Sequence, residues 1–143
     1  MKLAPVIGSA ALLLAGCFGG GFLHDQHLDG PWRLVAVDAW EDMTLCRRLE
    51  QSACAGDMLH GPTVFAAGID ERYVVYARHP RTFPNGLERH VTEFHYVIRT
   101  PDDDRPGGLK AENIKGPFDE AAFEAERRRL GLPAFTGVFE DLR

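Results

Sequence analysis

TVFAAGIDERYVVYAR, residues 63–78, holds two runs rich in β-branched and aromatic residues on either side of a short polar break, Asp70-Glu71-Arg72. Such runs fit a pleated, half-buried surface, and a polar break this short makes them the arms of a hairpin. In the second arm Val74 and Tyr76 share one face while Tyr73, Val75 and Ala77 share the other. Downstream, Pro80 to Gly86 carries two prolines and an Asn-Gly pair and reads as a loop. Val91 to Thr100 then predicts another strand. In it Phe94, Tyr96 and Ile98 alternate with Glu93, His95 and Arg99, so one face is expected to be buried and the other wet.

The acidic, Gly- and Pro-rich segment Pro101 to Gly108 ends that strand as an exposed loop, and Ala111 to Lys115 adds a short edge strand around Ile114. Gly116-Pro117 leads into a helix. Asp119 is its N-cap, Phe118 and Phe123 are placed as a hydrophobic staple, and Gly131 with Pro133 ends it. Glu120 and Glu124 lie early and Arg127 to Arg129 late, as the helix dipole favours. Phe123 and Leu130 are expected to face the sheet.

Upstream, Trp32 to Ala39 is apolar on both alternating faces and predicts a strand covered on two sides. Trp40 to Gly61 is less regular. Leu45 and Leu49 sit at helical spacing and Ser52 to Gly56 suits a turn, which predicts an excursion with one or two helical turns. The expected architecture is α+β: a four- to five-stranded, mainly antiparallel sheet with one C-terminal helix packed on it. At 143 residues, 45% hydrophobic and 26% charged, the chain suits one globular domain and excludes collagen, a coiled-coil rod and a wholly disordered chain. Sixteen Lys and Arg against 21 Asp and Glu leave −5, without the basic excess that nucleic-acid binding uses to neutralise phosphates.

The amino terminus carries an address. Lys2 is followed by Val6 to Leu14, an apolar run far shorter than the ~20 residues a membrane-spanning helix needs, and hence a signal h-region. Leu14-Ala15-Gly16-Cys17 comes next and resembles the lipobox of bacterial lipoproteins. The resemblance implies cleavage before Cys17, a diacylglyceryl thioether on its sulfur and an acyl group such as palmitate on its nitrogen. The alternative is an ordinary secretory signal cut after Gly16 or Gly19. Two or more acyl chains hold a protein on a membrane durably where one does not. Residues 1–16 are then a type II signal peptide, 17–29 a lipidated cysteine with a flexible tether, and 30–143 a single domain. No later run is long and apolar enough to span. Phe18 differs from the Asp that marks inner-membrane retention in enterobacterial lipoproteins, which favours the outer membrane, facing the periplasm, in a cell with two membranes. The order of elements from Val64 to Pro133 is loosely similar to small bacterial lipoproteins of unknown function.

With Cys17 assigned to lipid, Cys46 and Cys54 remain as an even pair in an oxidising compartment, a disulfide candidate. Eight positions on a continuous helix span about 12 Å, beyond the ~7 Å limit of a bridge, so a bond requires a turn between them. The alternative is two buried free thiols. A zinc or redox site is disfavoured because the spacing matches neither pattern.

Motifs of catalysis are scarce. Ser52 is the one serine after the signal and is not in a G-x-S-x-G elbow, and no H-E-x-x-H is present. His24 and His27 form H-x-x-H in the expected tether, too few ligands for a firm metal site. Asp102 to Asp104 are adjacent, unlike the alternating ligands of an EF-hand, and read as a solvated acidic turn. No catalytic residue, metal or cofactor is assigned. The one basic group comprises Arg72, Arg78, His79, Arg81, Arg89 and His90. Arg78, Arg81 and Arg89 suit docking of an anionic partner, against which stands neutralisation of a polar loop by Glu71 and Glu88. The expected function is a membrane-tethered binding or accessory module of the cell envelope that contacts an envelope protein. The alternative is an inhibitor or immunity-type protein that blocks an envelope hydrolase, and after it an enzyme of unrecognised type.

Overall fold

The computed structural model describes residues 21–49, 54 and 59–143. The hairpin read from residues 63–78 is its centre. β4 (Val64–Ile69) and β5 (Tyr73–Arg78) pair antiparallel, and the Asp70 carboxylate accepts from the backbone N–H groups of Arg72 and Tyr73 to fix the turn. Before them come β1 (His24–Asp29), β2 (Trp32–Ala36) and β3 (Thr44–Arg47). After them come β6 (Arg81–Thr82), β7 (Gly86–Leu87), β8 (Glu93–Ile98), β9 (Ile114–Phe118), helix α1 (Glu120–Leu130) and β10 (Gly137–Val138). Among the described residues every strand pairing is antiparallel. A five-stranded sheet runs β10-β4-β5-β8-β9, a three-stranded sheet runs β1-β2-β3, and β6-β7 is a small hairpin in the Pro/Asn-Gly loop.

Helix α1 forms as its sequence predicts. Asp119 accepts from Ala122 N–H at 2.8 Å, and Gly131 closes the helix at φ 68°, a left-handed conformation that costs glycine little. Phe123 is fully buried on Tyr73, Val75, Tyr96 and Leu132, with Phe118 and Leu130 packed alongside. The protein is thus α+β, with the helix on one face of the five-stranded sheet.

The other face of that sheet is covered too, and here three expectations are corrected. His24–Asp29 is a strand where a flexible tether was expected, so folded structure is present before Gly30. Its polar side chains suit an edge strand, which needs a backbone partner more than an apolar face; Asp25 bonds Arg33 at 2.6 Å and Arg48 at 2.8 Å. Among the described residues of Trp40 to Gly61 there is one 3-10 turn, Trp40–Asp42, and then β3, so Leu45 lies in a strand where a helical turn was expected. Leu45 of β3 is buried in the same core as Trp32, Leu34 and Met43. This three-stranded layer and the five-stranded sheet share that core, with Val64, Ala66, Val74, Tyr76 and Val97 across from it. The face of β8 expected to be wet is therefore closed, and His95 is 0% exposed.

Cys46 and Cys54 form the disulfide, with Cα atoms 5.3 Å apart and Cys54 in a β-bridge to Arg48. Neighbouring Arg47 is buried and donates to the backbone oxygens of Asp103 and Arg105, tying β3 to the loop after β8. In that loop Asp102 and Asp104 are exposed as expected, but Asp103 is buried, its carboxylate accepting from the Thr100 N–H and hydroxyl. Residues 1–16, expected to be a signal peptide, and Cys17 lie outside the described residues.

Candidate functional site

Two places gather chemistry that the sequence did not bring together. The first is internal. Antiparallel pairing of β5 with β8 sets Tyr76 opposite His95 and Arg78 opposite Glu93, two adjacent cross-strand pairs on one face. The Tyr76 and His95 rings stack at 4.8 Å, and Arg78 Nε donates to Glu93 at 2.9 Å. His60 stacks against His95 at 4.2 Å, with its Nδ1 3.2 Å from the Tyr76 hydroxyl. His95 Nε2 is 3.4 Å from the same Glu93 oxygen that Arg78 holds. On the next strand Gly116, at φ 120°, lies against this imidazole; a Cβ there would stand 2.7 Å from His95 Nδ1.

Burial pushes the His95 imidazole down to about 4, helped by His60 and opposed by Glu93. Burial likewise lowers His60, with Arg78 beside it, and raises Tyr76. For Glu93, burial works upward, but Arg78 and then His95 outweigh it and hold the carboxyl low. The cluster thus keeps a neutral imidazole between an ion pair and a neutral phenol. It cross-links β5 and β8 through the Arg78–Glu93 ion pair and the stacked rings, while His95 Nδ1 is buried without a hydrogen-bond partner.

The second place is a cleft of about 320 Å³ lined by Trp40, Glu41, Phe139, Glu140, Asp141 and Leu142. The 3-10 turn after β2 supplies Trp40 and Glu41, and the Asp42 carboxylate, accepting from Ala39 N–H, holds that turn. The last 3-10 turn, Glu140–Leu142, supplies the opposite wall, fixed where Phe139 N–H donates to Phe65 O and Leu142 is buried. The His24 ring lies 5.4 Å from Trp40 and 5.2 Å from Phe139, so three aromatic rings form one body. Trp40 is 46% exposed. An open aromatic wall beside three carboxylates suits a cationic group, by charge and by attraction to the indole face.

The arginines singled out in the sequence are used within the chain. Arg78 pairs with Glu93 and donates to Gly61 O, leaving its side chain 12% exposed. Arg81 pairs with Asp42. Arg89 donates to the backbone oxygens of Asp141 and Arg143. Arg78 is thus largely enclosed, while Arg81 and Arg89 brace loops and stay exposed. His24 and His27 also part company: His24 joins the aromatic body, and His27 Nε2 bonds Gly30 O. Among the described residues, no three His, Cys, Asp or Glu side chains converge as a metal site does.

Sequence reasoning missed both clusters because their members come from distant segments. Exposure of Trp40 had no local signature; the burial of His95 had one, since Val97 interrupts the polar series Glu93, His95, Arg99. No protein-family model, curated protein or solved structure matches the chain.

Proposed function

We propose that the protein is a lipoprotein of the bacterial cell envelope, tethered through lipid on Cys17 and acting as a binding module for an envelope partner. The observation that carries this reading is the Cys46–Cys54 disulfide, since such bonds persist where thiols are not kept reduced. It agrees with the lipobox-like Leu14 to Cys17, a separate part of the chain that addresses the protein across the inner membrane. Binding, not turnover, is favoured by a surface cleft that offers aromatic and carboxylate contacts from two 3-10 turns. The outer membrane, facing the periplasm, is the preferred location in a cell with two membranes. The test is in-cell crosslinking at native abundance with tags on both candidate members, read by mass spectrometry. One extracytoplasmic partner recovered reciprocally at fixed stoichiometry is the expected result. Crosslinks that scatter over abundant proteins contradict a specific binding module.

A further inference from the structure

Among the described residues the exposed large apolar side chains are Phe83, at 99% in the turn between β6 and β7, Val138 of β10, and three near the start of the fold. Leu23, Val37 and Trp40 are each about half exposed, at 48%, 49% and 46%. Leu23 N–H donates to Val37 O at the end of the β1-β2 pair, three residues before Trp40, and His24, whose side chain points to the other face from Leu23, carries its ring against Trp40. The cleft is lined by this same Trp40, and β1, the first described strand, begins beside it at His24. Between Cys17 and Leu23 there are six residue steps, which span at most about 22 Å fully extended. A domain of this length is roughly 35 Å across. A tether shorter than the domain is wide keeps the end around Leu23 next to the bilayer and holds the far end away from it.

We infer that the Leu23, Val37 and Trp40 end rests on the membrane that anchors Cys17, with the ammonium group of a zwitterionic lipid headgroup held over Trp40 among Glu41, Glu140 and Asp141. This inference rests on the reading of Cys17 as lipid-bearing. Tryptophan favours the headgroup level of a bilayer because its ring is apolar and its N–H is polar. The carboxylates set the lipid class. They repel phosphate-only or other anionic headgroups and attract an ammonium, which the exposed indole face also attracts. Arg143 stands 3.6 Å from Glu140 and competes for that carboxylate, so its removal strengthens headgroup binding.

The experiment uses full-length protein extracted from its membranes, with lipid on Cys17 verified by intact mass, and reconstituted into vesicles. The vesicles are phosphatidylcholine or phosphatidylglycerol, with bromine high on the acyl chains. The protein has two tryptophans, and Trp32 is fully buried, so subtracting the Trp40→Phe spectrum isolates Trp40. In phosphatidylcholine, Trp40 should be quenched by bromine and lose several-fold of its access to aqueous iodide. Both effects should weaken in phosphatidylglycerol, in the Glu41→Gln/Glu140→Gln double variant, and on adding tetramethylammonium chloride beyond the effect of equal sodium chloride. Arg143→Ala should strengthen them. Verified lipoprotein whose Trp40 stays open to iodide and untouched by bromine overturns the docking. Equal quenching in the two lipids overturns ammonium recognition. A mass without lipid overturns the underlying reading of Cys17, and is told apart from both because it is read before any vesicle is added.

Discussion

Lowering the pH from about 7 to about 5 moves His95 through the range in which an imidazole in an unfolded chain takes up a proton while the buried one resists it. Its folded value is near 4 and its ordinary value 6.5, with burial as the main cause. The unfolded state therefore binds more protons between these values. The stabilisation is full above about pH 6.5 and is lost progressively toward pH 4. At 1.36 kcal/mol per unit, the complete loss is about 3 kcal/mol, of which about 2 kcal/mol has gone by pH 5. His60 is shifted the same way and adds to the trend, and Glu93, held low by Arg78, adds to it at the acid end. Urea unfolding at the two pH values, for wild type and His95→Phe, isolates the imidazole: the variant keeps a ring beside Tyr76 and should show a flatter pH dependence by about 2 kcal/mol. NMR titration of the His95 ring gives the site-specific check. A midpoint near or above 6, or equal pH dependence in wild type and variant, would refute the burial argument.

Phe123→Ala empties a fully buried site between α1 and the sheet and should cost about 3 to 5 kcal/mol, seen as a lower denaturation midpoint. Reducing Cys46–Cys54 should remove roughly 2 to 3 kcal/mol on the chain-entropy account, and only after reduction should alkylation label these two thiols. Gly116→Ala places a methyl 2.7 Å from both His95 Nδ1 and Phe94 O at a positive φ; it should destabilise by about 2 kcal/mol and move the His95 ring resonances.

The elements legible in the sequence were those whose signals are local. The 63–78 hairpin declared itself by two β-rich runs and an Asp turn, and α1 by its cap, staple and left-handed glycine. The disulfide followed from counting cysteines once Cys17 was set aside. What escaped was the second layer. His24–Asp29 has almost no apolar side chains, so its pairing with β2 rests on backbone bonds that leave no pattern. With β1 expected as tether and β3 as part of an irregular excursion, the strand at Trp32 has no sheet of its own to join, and the polar side of β8 is left without cover. The partners of the arginines were hidden for a related reason: Asp42, Glu93 and the 141–143 backbone reach them only through the tertiary fold.

Intact-mass analysis of the protein taken from its own membranes bears most directly on the central claim. A lipid-tethered envelope module should begin at Cys17 and carry the added mass of a diacylglyceryl group, with or without a further acyl chain, and the Cys17→Ser form should lose this lipid and leave the membrane fraction. A mature chain that begins elsewhere, or one that begins at Cys17 without lipid, contradicts the account.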